Sequence, residues 1–107
     1  MARGNQELSR GADVALLVLI SLAEGQKHGY RMIGDIEEFS GTSLEPGTLY
    51  GTLMRLAEDG LIEAVQSVER HRPYRITEAG RDALREQLDL LRRIERAGVD
   101  RVALKPA

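Results

Sequence analysis

A chain of 107 residues suits one domain and leaves little room for a second. It has no cysteine, which excludes disulfides and thiolate metal sites and fits a reducing cytoplasm; its two histidines have no carboxylates at ligand spacing, so no metal and no cofactor is expected. A net charge of −2, from 15 basic and 17 acidic side chains, argues against a general nucleic-acid binder. Screening limits each charge to about 10 Å, however, so a local basic patch can still meet phosphate.

Residues 1–12 read as a polar N-terminal arm that lacks the apolar stretch of a signal peptide. Residues 14–20 form the longest apolar run, too short to span a bilayer, so no membrane partner is expected. Asp13 is placed to cap a first helix through residue 24. This helix is apolar nearly all round, so it should lie centrally, and Gly25 should end it. A second helix is expected over 29–39, with Met32, Ile33, Ile36 and Phe39 as its inward stripe and Gly41 closing it. Pro46 opens a third, where its missing N–H removes nothing. Leu49, Leu53 and Leu56 point that helix inward, Gly60 ends it, and Leu61 supplies the apolar contact after the cap.

Two short strands follow. Over 61–68, Ile62, Ala64 and Val68 should share a face, paired with Tyr74 and Ile76 across a turn at Glu69, Arg70, His71 and Arg72. Thr77 is placed to cap a last helix over 78–97, which Gly98 should stop, leaving a tail over 99–107. The expected fold is therefore mainly α with a small β-hairpin: a winged helix-turn-helix over 13–77, then a long C-terminal dimerisation helix over 78–98.

The third helix is the candidate recognition helix. Its inward stripe leaves Gly47, Thr48, Gly51, Thr52 and Arg55 on the other side. Small residues let a helix backbone approach a groove, and Thr and Arg reach phosphates or base edges. The other reading is an ordinary solvated face, although such faces usually carry more Glu and Lys. Arg70, His71, Arg72 and Arg75 form the densest basic cluster, suited to a phosphate backbone, or else simply a loop made soluble by charge. On the last helix, Leu84, Leu88, Leu91 and Ile94 make one apolar seam, with Leu90 beside it. The helix is long enough to outrun its own domain, so the seam is assigned to a homodimer interface. A domain this short also gains from a partner that covers more of its surface. There is no nucleophile motif, phosphate-cradling glycine loop or paired-carboxylate arrangement, so no enzyme is expected.

His28-Gly29-Tyr30, Pro46-Gly47-Thr48-Leu49-Tyr50, the stretch from Leu53 to Leu56 with Gly60-Leu61-Ile62, and the run Pro73-Tyr74-Arg75-Ile76-Thr77-Glu78-Ala79-Gly80 together resemble the PadR family of bacterial transcriptional regulators. The resemblance covers roughly residues 13–92 and is to the short subgroup with a single C-terminal helix. It implies a cytoplasmic, homodimeric repressor on an inverted repeat of double-stranded DNA, with Tyr30, Thr48, Tyr50 and the wing arginines near the DNA. The tyrosine rings are expected to pack, with their hydroxyls near phosphate. The chain departs from the family's frequent Ser before Pro46, where it has Glu45, and from its frequent Pro at Gly51. A small-molecule effector is left open. All four aromatic residues precede the last helix, so no stacking pocket between the last helices is expected. The competing reading is a winged-helix protein-interaction module without DNA binding, favoured by the net charge and opposed by the basic wing.

Overall fold

The computed structural model describes residues 13–68 and 70–104; the arm over 1–12, Glu69 of the expected turn and the end of the tail over 105–107 lie outside the described residues. Helices α1 (Val14–Ala23), α2 (Gly29–Ser40) and α3 (Pro46–Glu58) precede strands β1 (Ile62–Ala64) and β2 (Tyr74–Ile76) and helix α4 (Glu78–Val102). Asp13 caps α1, its Oδ1 accepting from the Ala15 N–H at 3.0 Å. As its all-round apolarity requires, α1 is central and touches α2, α3, β2 and α4. Leu17, Val18, Leu19 and Leu22 meet Met32 and Ile36 of α2, Leu49, Leu53 and Leu56 of α3, and Ile62 in one core.

Helix α3 ends as the Gly60-Leu61 pair predicts. Gly60 takes the left-handed conformation, φ 75°. Its N–H donates to the Ala57 carbonyl at 3.1 Å, and the Leu61 N–H donates to that of Leu56 at 2.9 Å. The chain then passes straight into β1. Thr77 ties the far end of the wing to the same corner: its N–H donates to the Leu61 carbonyl at 3.0 Å and its hydroxyl to that of Gly60 at 2.6 Å. The same hydroxyl accepts from the Gly80 N–H at 3.0 Å and caps α4. A Cβ at Gly80 would collide with the Leu61 carbonyl oxygen, so this junction has room only for glycine.

Two expectations need correction, and one pairing is added to them. The first strand stops at Ala64, not Val68. The pairing is antiparallel, Ile62 with Ile76, Glu63 with Arg75 and Ala64 with Tyr74, and one further bond runs from the Val65 N–H to the Pro73 carbonyl at 2.8 Å. Pro73 has no N–H to return, and Gln66 breaks the apolar alternation, so the ladder ends and Val68 is fully exposed. Tyr74 also pairs with Lys27 on its other edge, through bonds of 2.9 and 3.1 Å. Second, α4 runs through Gly98 to Val102. Gly98 keeps a helical backbone there, since the left-handed turn that would end the helix occurs at Gly41 and Gly60. A mid-helix glycine disfavours the helix by about 1 kcal/mol, too little to end a segment of good formers such as Arg96, Ala97 and Arg101.

Lys27 anchors this arrangement from inside. Its side chain is 8% exposed; its ammonium donates to the Ser21 carbonyl and lies 2.8 Å from Glu24 and 3.7 Å from Asp35. The Ser21 hydroxyl donates to Asp35 at 2.6 Å. One buried cation thus joins α1, α2 and the edge of β2, satisfying the rule that a buried charge needs partners.

Candidate nucleic-acid interface

Helix α3 presents Gly47, Thr48, Gly51 and Arg55 outward, as expected, and all four are exposed. Thr52 is not with them. It is 2% exposed, and its hydroxyl donates to the Thr48 carbonyl at 2.9 Å. The inward stripe is therefore Leu49, Thr52, Leu53 and Leu56, a full set at i, i+3, i+4 and i+7. The three leucines alone hid its fourth member, although the spacing contains it. In place of Thr52, the outward face carries Met54, which is 66% exposed. Side chains added at Gly47 or Gly51 would meet nothing of this chain within 4 Å.

Tyr50 is half-exposed and leans across to the start of α2. A Cβ at Gly29 would lie 2.6 Å from the Tyr50 hydroxyl oxygen, so this phenol packs on bare backbone and holds α3 to α2. That accounts for the His28-Gly29-Tyr30 motif in physical terms. Tyr30 itself is not packed into the core-edge position expected of it. It is exposed, and its ring stacks on that of His28 with centroids 6.1 Å apart and planes 17° apart. Arg31 beside it, with Gln26 and His28, faces Val65, Gln66, Ser67 and Pro73 of the wing across a shallow cleft of about 230 Å³. Tyr50 thus links α3 to the start of α2, and His28 and Arg31 link α2 to the base of the wing.

At the wing tip, Arg70, His71 and Arg72 are exposed. Arg75 is exposed as well but sits in the strand opposite Glu63, donating to that carboxylate at 2.6 Å. Its charge is matched by Glu63, whereas among the described residues no ion pair holds Arg70, His71 or Arg72. Arg55 makes a long contact of 3.4 Å with the Thr52 hydroxyl and keeps its head in solvent.

The seam on α4 divides. Leu84 is buried in the core cluster of its own domain. Leu88, Leu91 and Ile94 are 41%, 37% and 57% exposed and stand outside that core. Because the helix continues past Gly98, Val102 extends the same side, again exposed. Beyond Gln87 every described residue of α4 is exposed.

The profile of the transcriptional regulator PadR-like family matches residues 18–86. A transcriptional regulator of Mycobacterium tuberculosis is 38% identical over 94 residues, which cover 85% of this chain and 86% of that protein. A crystal structure of a PadR family transcriptional regulator from Eggerthella lenta covers 98% of this chain and 93% of its own, at 27% identity and a TM-score of 0.77. The structure of Bacillus subtilis PadR in complex with operator DNA shares the fold at a TM-score of 0.62 and 23% identity, over 72% of this chain and 47% of that one. Other relatives are longer, and the chain spans between 25% and 38% of their length; several of these are named transcriptional activators.

Proposed function

The chain belongs to the PadR-like family of transcriptional regulators, and from that premise we propose that it binds an inverted repeat of double-stranded DNA as a homodimer and represses transcription there. The observation that carries the reading is the outward face of α3. It carries two glycines, Gly47 in the first turn and Gly51 in the interior, and the interior one disfavours the helix by about 1 kcal/mol relative to alanine. Neither is required by any contact within the chain. A duplex lying against that face supplies the missing reason, because only a bare backbone approaches a major groove so closely. Bacillus subtilis PadR, which shares the fold, is in complex with operator DNA in its structure.

Thr48 and Arg55 flank this face and reach base edges or phosphates, while Arg70, His71 and Arg72 lie along the adjoining backbone. Tyr30 contributes its exposed hydroxyl to a phosphate, and Tyr50 acts chiefly by fixing the angle between α2 and α3. Arg75 serves the hairpin through Glu63 more than it serves the DNA. The second copy covers Leu88, Leu91 and Ile94; Leu84 supports that seam from within its own core. A two-fold pair of α3 helices faces DNA in opposite directions, which an inverted repeat matches, with half-sites centred about 10 or 20 base pairs apart. Repression follows from occupying a promoter, in the cytoplasm. The activators among the longer relatives mark the competing outcome.

Footprinting the DNA upstream of this protein's own gene, with a reporter fused to the same segment, tests the proposal. Protection of a symmetric site with a fall in reporter output is the expected result. A rise in output turns the repressor into an activator. Absence of protection at low salt favours a protein-interaction module.

A further inference from the structure

Met54 has no role in the fold. It is 66% exposed in the middle of a 13-residue helix whose inward side is complete without it. Along the outward side, Gly47, Gly51, Met54 and Glu58 follow at spacings of four, three and four, one line parallel to the helix axis. Both positions before Met54 on that line lack a side chain, and nothing of this chain stands near them. A helical Cα–Cβ bond tilts toward the N-terminus, so the Met54 side chain extends over the turn occupied by Gly51. The result is a single apolar projection on an otherwise bare strip. Glu58, at the far end of the line, and Glu45, just before the first turn, are both exposed, so a carboxylate flanks the strip at each end.

We propose that Met54 is a specificity-determining residue that selects thymine by packing its thioether against the thymine C5-methyl group in the major groove. The proposal rests on the DNA-binding reading given above. A thioether is a poor hydrogen-bond partner and gains little from the amino, carbonyl and N7 positions of the other base edges. Held against those edges, it displaces water from donors and acceptors without replacing the bonds, which is unfavourable. The thymine methyl is the one apolar feature a standard base offers in that groove, and a flexible, polarisable side chain adapts to it. Selection therefore works in both directions, by contact with thymine and by desolvation of its competitors.

The test begins with wild-type protein and a pool of randomised duplexes, from which bound sequences are recovered. Each thymine of the recovered site is then replaced singly by uracil, which removes the methyl and leaves the pairing edge intact. Binding of wild type, Met54→Ala and Met54→Leu to each duplex is read by fluorescence anisotropy. One thymine per half-site is expected to show a loss of about four-fold on replacement with the wild type, which is about 0.8 kcal/mol at 1.4 kcal/mol per tenfold. Met54→Ala should bind more weakly and be indifferent to uracil there, while Met54→Leu should keep the sensitivity. Circular dichroism of the variants should match wild type, since the side chain packs on nothing. If wild type tolerates uracil everywhere, or Met54→Ala keeps the same penalty at the same thymine, Met54 does not read the methyl, although the protein still binds DNA. If no duplex is recovered at all, the DNA-binding reading falls and this assignment with it.

Discussion

Thr52 and Met54 show how two residues in neighbouring positions exchange the roles their chemistry suggests. A threonine is buried and a methionine is exposed, because helical phase outranks polarity when a hydroxyl has a carbonyl one turn back to satisfy it. The phase was available in the sequence as the spacing from Leu49 to Leu56; the eye for polarity obscured it. Arg75 was legible as a strand residue, but its partner Glu63 became visible only with the register. Lys27 carried no signal at all: nothing near it in sequence predicts a cation buried beside Ser21 and Asp35. Three predictions belong at this scale. Arg72→Ala should weaken binding to all duplexes by a similar factor and lower the salt slope by about one unit, measured by titration across a salt series. Arg75→Ala should change that slope less, because its charge is matched across the strand; an equal or larger loss would place Arg75 on the phosphates. Asp35→Ala removes the acceptor of the buried Ser21 hydroxyl and the more distant of the two carboxylates beside the Lys27 ammonium, and should lower stability by about 2 kcal/mol in urea unfolding.

Among the elements, the three helices of the N-terminal half and their caps were readable almost to the residue. Four of the boundaries are written in a local device: Asp13 at a start, Pro46 at the first turn, Gly41 and Gly60 in left-handed turns. Boundaries set by non-local pairing were not readable in that way. The first strand is short because of what Pro73 cannot donate on the opposite strand. Helix α4 continues past Gly98 because a glycine stops a helix only when its backbone turns left-handed, and Gly98 does not. Since a methyl there would meet nothing within the chain, Gly98→Ala should raise helix content and stability by up to about 1 kcal/mol, read by thermal unfolding. The seam beyond Leu84 makes a second, sharper prediction for this helix. Leu88→Glu puts a charge into the proposed contact between copies and should yield monomers with an intact winged helix, because Leu88 is not in the monomer's core. Sedimentation decides; a dimer as stable as wild type would remove α4 from the interface.

The whole molecule measures 63 × 29 × 20 Å with a radius of gyration of 16.2 Å, against about 13 Å for a compact domain of this length. The excess is α4, which at 1.5 Å per residue is about 37 Å long and buries little beyond Gly80 and Leu84 on its own domain. A compact winged-helix head and a helical arm that extends beyond it account for this shape; the proposed second copy is to cover the arm. With a net charge of −2, binding away from the operator should be weak and strongly dependent on salt. The central claim is that α3 lies in the groove of a symmetric site. A mobility-shift comparison of an inverted-repeat operator with its scrambled duplex, across a salt series, tests it with wild type and Gly51→Glu side by side. The account predicts a wild-type complex that prefers the inverted repeat at every salt concentration. It also predicts that this preference disappears in Gly51→Glu, whose side chain is accommodated by the fold but brings bulk and negative charge to the groove. A Gly51→Glu protein that binds the operator as tightly as wild type would contradict it.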